Sequence, residues 1–237
     1  MIDLNCDMGE GAGNDEALMP LISSANIACG YHAGDEAIIR QCIRLAIRHG
    51  VRIGAHPSFA DRENFGRKEF QLPHEEIYSL IREQLTVMRT IVEEEGSNLR
   101  HVKPHGALYN MAARDPLLAA TIASAIKQFD EQLILYGLSG SHLIWEAQRL
   151  GLRTMSEVFA DRAYNDDGSL VSRSEPGALI ESTERSIHQV QEMMTRNRVT
   201  TITGKTIPIT AETVCLHGDG SHALEFATAL RQALGQP

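Results

Sequence analysis

Basic residues are in short supply: 22 Lys and Arg stand against 31 Asp and Glu, a formal net charge of −9. Binding to a phosphate backbone needs the opposite balance, so nucleic acid is disfavoured as a partner, and polyanionic membrane surfaces with it. Aromatic residues make up only 5% of the chain, too few for the stacking platforms of single-strand binders. No run approaches the ~18 apolar residues of a spanning helix. The four cysteines, Cys6, Cys29, Cys42 and Cys215, form no C-x-x-C pair and no zinc-finger spacing, which fits a reduced chain. Met1 is followed directly by Ile2, Asp3 and Leu4 with no basic n-region, and a cytoplasmic location is the expectation. Nucleotide and nucleophile motifs are lacking too. Gly204-Lys205-Thr206 imitates the end of a P-loop, but its first glycine would fall at Val199, and a hairpin turn is the better reading. Neither a G-x-S-x-G elbow nor a glycine-rich dinucleotide fingerprint follows a strand.

What is present is an alternation of short β-like runs with longer helix-period segments, the sequence form of repeated βαβ units and a parallel sheet. The clearest unit starts at Ser24 to Cys29. Asp35 then stands as an N-cap, Ile38, Cys42, Leu45 and Ala46 hold one helical face, and His49-Gly50 closes the helix before the strand at Val51. Pro73 opens a long helix that ends in acidic residues at Gly96, and Asp115-Pro116 starts another. Strand starts near Ile2, Ser24, Val51, His101, Leu133, Thr154 and Glu212 give seven strands, one short of an eightfold barrel. The expectation is one α/β domain over residues 1–237, with an irregular insertion around 166–209 holding a helix near Ser182 to Met194 and a hairpin at Gly204.

In such folds ligands bind beyond the carboxyl ends of the strands. Read through that filter, Asp7 and Glu10 follow the first strand, and His32, His56 and His105 follow the second, third and fourth. Lys103 and Glu157 lie at strand ends, Arg162 lies just beyond, and His217 and Asp219 follow the last strand. A lone histidine is more often structural, and His49, His74, His188 and His222, in or beside helices, take that reading. A lysine ending a buried strand is harder to explain without a partner or a pocket. Converging carboxylates, imidazoles and a lysine suit general acid-base hydrolysis. A divalent metal held by Asp7, His32 and His56 is a second option, resting on fold position alone. A cysteine nucleophile beside His217 is a third, although strand cysteines more often act as small buried hydrophobes.

Leu4 to Gly11, Ser24 to Asp35 (SANIACGYHAGD), Ile53 to Ser58 (IGAHPS), Val102 to Asn110 (VKPHGALYN), Glu157 to Arg162 (EVFADR) and Cys215 to Gly220 (CLHGDG) resemble, in order, the motifs of the LamB/YcsF family. The resemblance implies a distorted seven-stranded, TIM-like β/α barrel similar to the glycoside hydrolase/deacetylase superfamily. It also implies the role of the A component in an ATP-dependent 5-oxoprolinase that converts 5-oxo-L-proline to L-glutamate with subunits B and C. On that reading Asp7 or His56 serves as base and His105 and His32 as donors or ligands. Lys103 and Arg162 contact the anion, and Asn5, Glu10, Glu157, His217 and Asp219 surround the substrate. Two alternatives stand beside it: a stand-alone metal-dependent deacetylase or amidohydrolase, and a non-catalytic ligand-binding scaffold.

Overall fold

The computed structural model describes residues 2–217 and 223–233. In the first half of the chain, β1 (Asp3–Met8), β2 (Ser24–Ala28), β3 (Arg52–His56) and β4 (Leu99–Val102) alternate with α1 (Asp15–Leu18), α2 (Glu36–His49) and α3 (His74–Glu94). Then come α4 (Gly106–Arg114), α5 (Pro116–Phe129), β5 (Ile134–Leu138), α6 (His142–Arg149) and β6 (Arg153–Phe159). The last part holds α7 (Thr183–Arg196), β7 (Arg198–Thr200), β8 (Thr206–Pro208), β9 (Thr213–Leu216) and α8 (Ala223–Ala233). Strands β1 to β6 and β9 close a parallel barrel in that order, with β9 paired to both β6 and β1. The seven parallel strands are those the alternation predicts, and their closure into a β/α barrel is what the family resemblance implies.

Local chemistry sets the helix ends. The Asp35 carboxylate accepts from Ile38 N at the start of α2, and Gly50 at φ 67 closes it. Asp115 accepts from Leu117 N and Leu118 N ahead of Pro116. The apolar faces of α2, α3 and α5 bury Ile43, Ile81, Leu85, Ile122 and their neighbours against the barrel, at about 1.5–3 kcal/mol for each large side chain.

The inside of the barrel is polar. Side chains of a strand alternate between its faces, and β1 reads Asp3-Leu4-Asn5-Cys6-Asp7-Met8 with every residue buried. Leu4, Cys6 and Met8 join the apolar core, while Asp3, Asn5 and Asp7 bond inward to Ser24, Thr213, Asn26 and Lys103. Most barrels of this class fill the interior with branched apolar layers, so this one is built to carry polar groups up to one rim. Gly54 on β3 makes room for them: a Cβ there would lie 2.1 Å from His101 Nε2.

A long connection joins β6 to β9 and includes residues 166–209. It runs through bridges between Arg162 and Leu179 and between Tyr164 and Leu170, then α7, then the antiparallel β7–β8 pair around Gly204. Helix α4 is not foreseen by the periodicity. It buries Ala107, Leu108, Tyr109, Met111 and Ala112, which occupy most of its circumference, so it lacks the one-sided stripe that marks an amphipathic helix.

Candidate active site

A cavity of about 770 Å³ opens at the carboxyl ends of the strands, with Asp7, Glu10, His56, Lys103 and His105 among its lining and Arg162 and His217 on its wall. Each side chain arrives by a different route. Asp7 and His56 lie in their strands β1 and β3, and Glu10 follows β1 across the left-handed Gly9 at φ 73. His105 is the residue before α4.

Two imidazoles meet at the centre. His56 Nδ1 lies 2.6 Å from the Lys103 carbonyl and His105 Nε2 lies 2.9 Å from the Phe65 carbonyl. Carbonyl oxygens only accept, so both outer nitrogens carry hydrogen. The inner nitrogens, His56 Nε2 and His105 Nδ1, then face each other at 3.0 Å. Glu10 Oε1 stands 3.1 Å from His105 Nδ1 and Asp7 Oδ2 stands 3.4 Å from His56 Nε2. Burial alone would push both rings towards the neutral form, but at His56 the Asp7 carboxylate overcomes it and raises the pKa, whereas at His105 burial wins and lowers it. One ring is therefore biased towards the cation and the other towards the neutral base. The carbonyl that fixes His105 comes from Phe65, a non-glycine residue at φ 55, a strained backbone of the kind found at functional sites.

Lys103 is 2% exposed and anchors the other side of Asp7. Its ammonium lies 2.9 Å from Asp7 Oδ1, 2.9 Å from Glu157 Oε1 and 3.0 Å from Cys215 Sγ. Burial would depress its pKa, yet the two carboxylates hold it well above the ordinary lysine value. Asp7 in turn is kept well below the usual carboxylate range: burial raises it, and His56 and Lys103 together outweigh that. A carboxylate so engaged is a poor base.

The sequence-derived residues fall into three groups. Asp7, Glu10, His56, Lys103 and His105 converge. Asn5 and Glu157 lie beneath them, Asn5 donating to Thr213 Oγ1 at 2.7 Å and Glu157 accepting from Tyr109 Oη at 2.6 Å. His217 stands on the wall with Nδ1 donating to both Asp161 oxygens at 2.8 and 3.0 Å and its ring stacked on Phe159. Arg162, 5% exposed, donates to the Val171 carbonyl at 2.5 Å, and its Nε has no partner among the described residues. Burial, with Arg173 nearby, brings its pKa down to about 10. Asp219 lies outside the described residues.

His32 differs from expectation. Its Nε2 bonds to Glu10 Oε1 at 3.1 Å, and its ring lies flat on His105 with centroids 3.9 Å apart, so it braces the cluster instead of facing the substrate space. Burial brings its pKa down to about 4 and keeps it neutral. The metal set of Asp7, His32 and His56 is corrected accordingly. The atoms that come within 4.8 Å of one another belong to Asp7, Glu10, His56 and His105. Two carboxylate oxygens and two imidazole nitrogens, with both outer ring nitrogens bonded to carbonyls, fit a divalent cation of the zinc or manganese type. A second group, Asp7, Cys215 and His217, has the same reach; burial pushes the Cys215 thiol pKa well up, and a bound ion would have to displace its proton. The same shift removes Cys215 as a nucleophile.

Three positioning residues escape the strand-end filter. Asn26 Nδ2 bonds Asn5 Oδ1 and Asp7 Oδ1, both at 2.8 Å, and Asn26 Oδ1 accepts from His101 Nε2 at 2.8 Å. Tyr109 holds Glu157. Strand parity could have found two of them: Asn26 is a polar residue inside an apolar run, and His101 shares a face with Lys103 two positions on.

Comparison with known proteins agrees with this architecture. A lactam utilization protein from Thermus thermophilus is 41% identical and superposes with a TM-score of 0.91, covering 99% of this chain and 96% of its own. Two more distant structures share the fold alone. One is a putative cellobiose-phosphate cleavage protein from Enterococcus faecalis, at 15% identity and TM-score 0.58 over 98% of this chain and 93% of its own. The other is a family 4 carbohydrate esterase from Streptomyces lividans in complex with acetate, at 11% identity and TM-score 0.51 over 99% and 87%. The LamB/YcsF family model matches residues 2–237, and the chain belongs to the LamB/YcsF family.

Proposed function

We propose that this chain opens an activated lactam, converting 5-oxo-L-proline to L-glutamate as the A component of an ATP-dependent 5-oxoprolinase whose subunits B and C supply the activation. One observation carries the reading: a buried pair of imidazoles with divergent pKa values, flanked by Asp7, Glu10 and Lys103, at the floor of a cleft. The likeness to a lactam utilization protein supports the substrate class. A lactam is a stable amide; phosphorylating its oxygen makes the ring carbon electrophilic. Attack by one water then expels the ring nitrogen to leave an acyl phosphate, and a second water hydrolyses that to L-glutamate and inorganic phosphate. The absence of a P-loop motif fits a division of labour in which ATP is consumed with the partner subunits.

Groups whose environments push their pKa values apart divide into acid and base. His105, neutral, takes a proton from the attacking water at Nδ1, and Glu10 at 3.1 Å stabilises the imidazolium that forms. His56, biased towards the cation by Asp7, delivers its Nε2 proton to the departing ring nitrogen. The base is thus His105, in place of the Asp7 or His56 expected from the sequence. Lys103 already donates to Asp7 Oδ1, Asn5 Oδ1 and Cys215 Sγ and pairs with Glu157, so its part is to keep Asp7 ionised and the floor positive. Arg162, with an Nε unclaimed among the described residues, takes the substrate carboxylate. Reconstitution tests the reading: glutamate release from 5-oxoproline and ATP should require this chain together with its partners, and full release without it would remove the proposal.

A second reading rests on the four converging lone pairs. With both outer ring nitrogens protonated, neutral rings would aim two lone pairs at each other and at Glu10, an arrangement that a divalent cation would also satisfy. Such an ion would lower the pKa of a bound water and polarise a carbonyl, as a self-sufficient amidohydrolase requires. Stoichiometric zinc or manganese together with ATP-independent release of acetate from N-acetyl substrates would favour it.

A further inference from the structure

The cavity extends well past the imidazole pair, and its size matches sites that enclose a drug-sized ligand, more than a five-membered ring acid fills. Its outer wall includes Ser139, Gly140, Ser141 and His142, the turn that leads into α6. A helix leaves its first N–H groups without intrahelical partners, and an N-cap serine ordinarily accepts from one of them. Ser141 occupies the N-cap position in extended backbone, at φ −87 and ψ 163, yet its side chain makes no such bond. Its Oγ is buried without a partner among the described residues, and the residue is 6% exposed. Gly140, at φ 72, leaves open space where a side chain would stand. Unclaimed first-turn amides, a positive helix end and a buried, unpartnered hydroxyl thus lie together in the wall of the cleft.

The charge of the cavity points the same way. Five Lys and Arg side chains and four Asp and Glu side chains line it, a balance of 5 − 4 = +1, against −9 for the chain. Those carboxylates are occupied. Glu69 pairs with Arg114 at 2.6 Å, Asp167 accepts from Ser169, and Asp7 and Glu10 belong to the histidine cluster.

We propose that the N-terminus of α6, with Gly140 and Ser141, is a subsite for a phosphoryl group, separate from the imidazole pair but in the same cleft. A tetrahedral phosphate offers several acceptor oxygens to the first-turn amides and to the Ser141 hydroxyl, and the helix dipole favours its charge. Two sources carry this chemistry: the phosphate of an activated substrate, or the phosphates of a nucleotide reaching into this chain. Such a subsite lies beyond the ring-opening reading, and its occupancy does not depend on turnover.

The molecule contains its own reporter. Trp145 is the only tryptophan of the chain. It follows Ser141 by one helical turn, is 55% exposed and lines the same cavity. Titrating the full chain with inorganic phosphate, ADP, ATP and unphosphorylated 5-oxoproline, with tryptophan emission as the readout, should give a saturable change with phosphate. Nucleotides binding at least tenfold tighter than phosphate would identify the nucleotide as source, and affinities equal to that of phosphate would identify the phosphorylated substrate. Ser141→Asp places a carboxylate on the same amides, so the phosphate response should weaken at least tenfold while Tm stays equal or rises. Ser141→Ala, which deletes no cap bond, should weaken phosphate several-fold with Tm nearly unchanged. No saturable response in the wild type, or a Ser141→Asp variant that titrates like the wild type, overturns the proposal.

Discussion

Lys103 and His105 sit two positions apart and fail differently when removed. Lys103 neutralises two buried carboxylates, Asp7 and Glu157, and deleting one partner of a buried ion pair typically costs about 3–5 kcal/mol. Lys103→Met should therefore lose both activity and stability. His105→Gln keeps a donor towards the Phe65 carbonyl and removes Nδ1. It should lower turnover by about 10²–10⁴ with a stability loss under about 1.5 kcal/mol, measured by urea unfolding beside steady-state assays. His101 makes a pH prediction. Buried and bonded to Asn26, it has a pKa pushed down to about 3, mainly by burial. The folded state keeps it neutral while the unfolded chain protonates it near 6.5. The unfolded state thus binds more protons, and its contribution to stability is present above about 6.5 and lost as pH falls towards the depressed value. The expected loss is of the order of 3–5 kcal/mol, and His101→Asn should flatten that acid limb in thermal unfolding curves.

At the level of strands and helices, the barrel interior is the part under tightest constraint. Gly54 faces His101, whose ring is pinned by Asn26 and stacked on Tyr136 with centroids 4.3 Å apart. Gly54→Ala forces a methyl group into that ring, so a drop of about 1–3 kcal/mol or more is expected. It should appear as a lower urea midpoint at unchanged m-value. The strands and most helices are legible in the sequence because caps such as Asp35 and Asp115 and one-sided apolar stripes are local signals. Helix α4 is not, since nearly all its faces are buried. Asp7, Glu10, His56, Lys103 and His105 can be found by inspecting the residues at and just beyond each strand's carboxyl end. The bracing role of His32 and the contacts of Asn26, His101 and Tyr109 cannot, because they depend on which residues meet across the barrel.

For the whole molecule, the contrast between an acidic chain and a cleft with a small cationic excess should steer an anionic substrate inward. Ionic strength screens that field over about a Debye length. Raising salt from about 50 to about 500 mM should increase KM for 5-oxoproline several-fold with kcat little changed. At the centre of the proposed function is ring opening by the paired imidazoles. The most direct test is glutamate release by the reconstituted enzyme carrying His56→Asn, which keeps a donor towards the Lys103 carbonyl and deletes Nε2. Release at least a hundredfold lower, with a Tm close to that of the wild type, is the predicted result; undiminished release would contradict it.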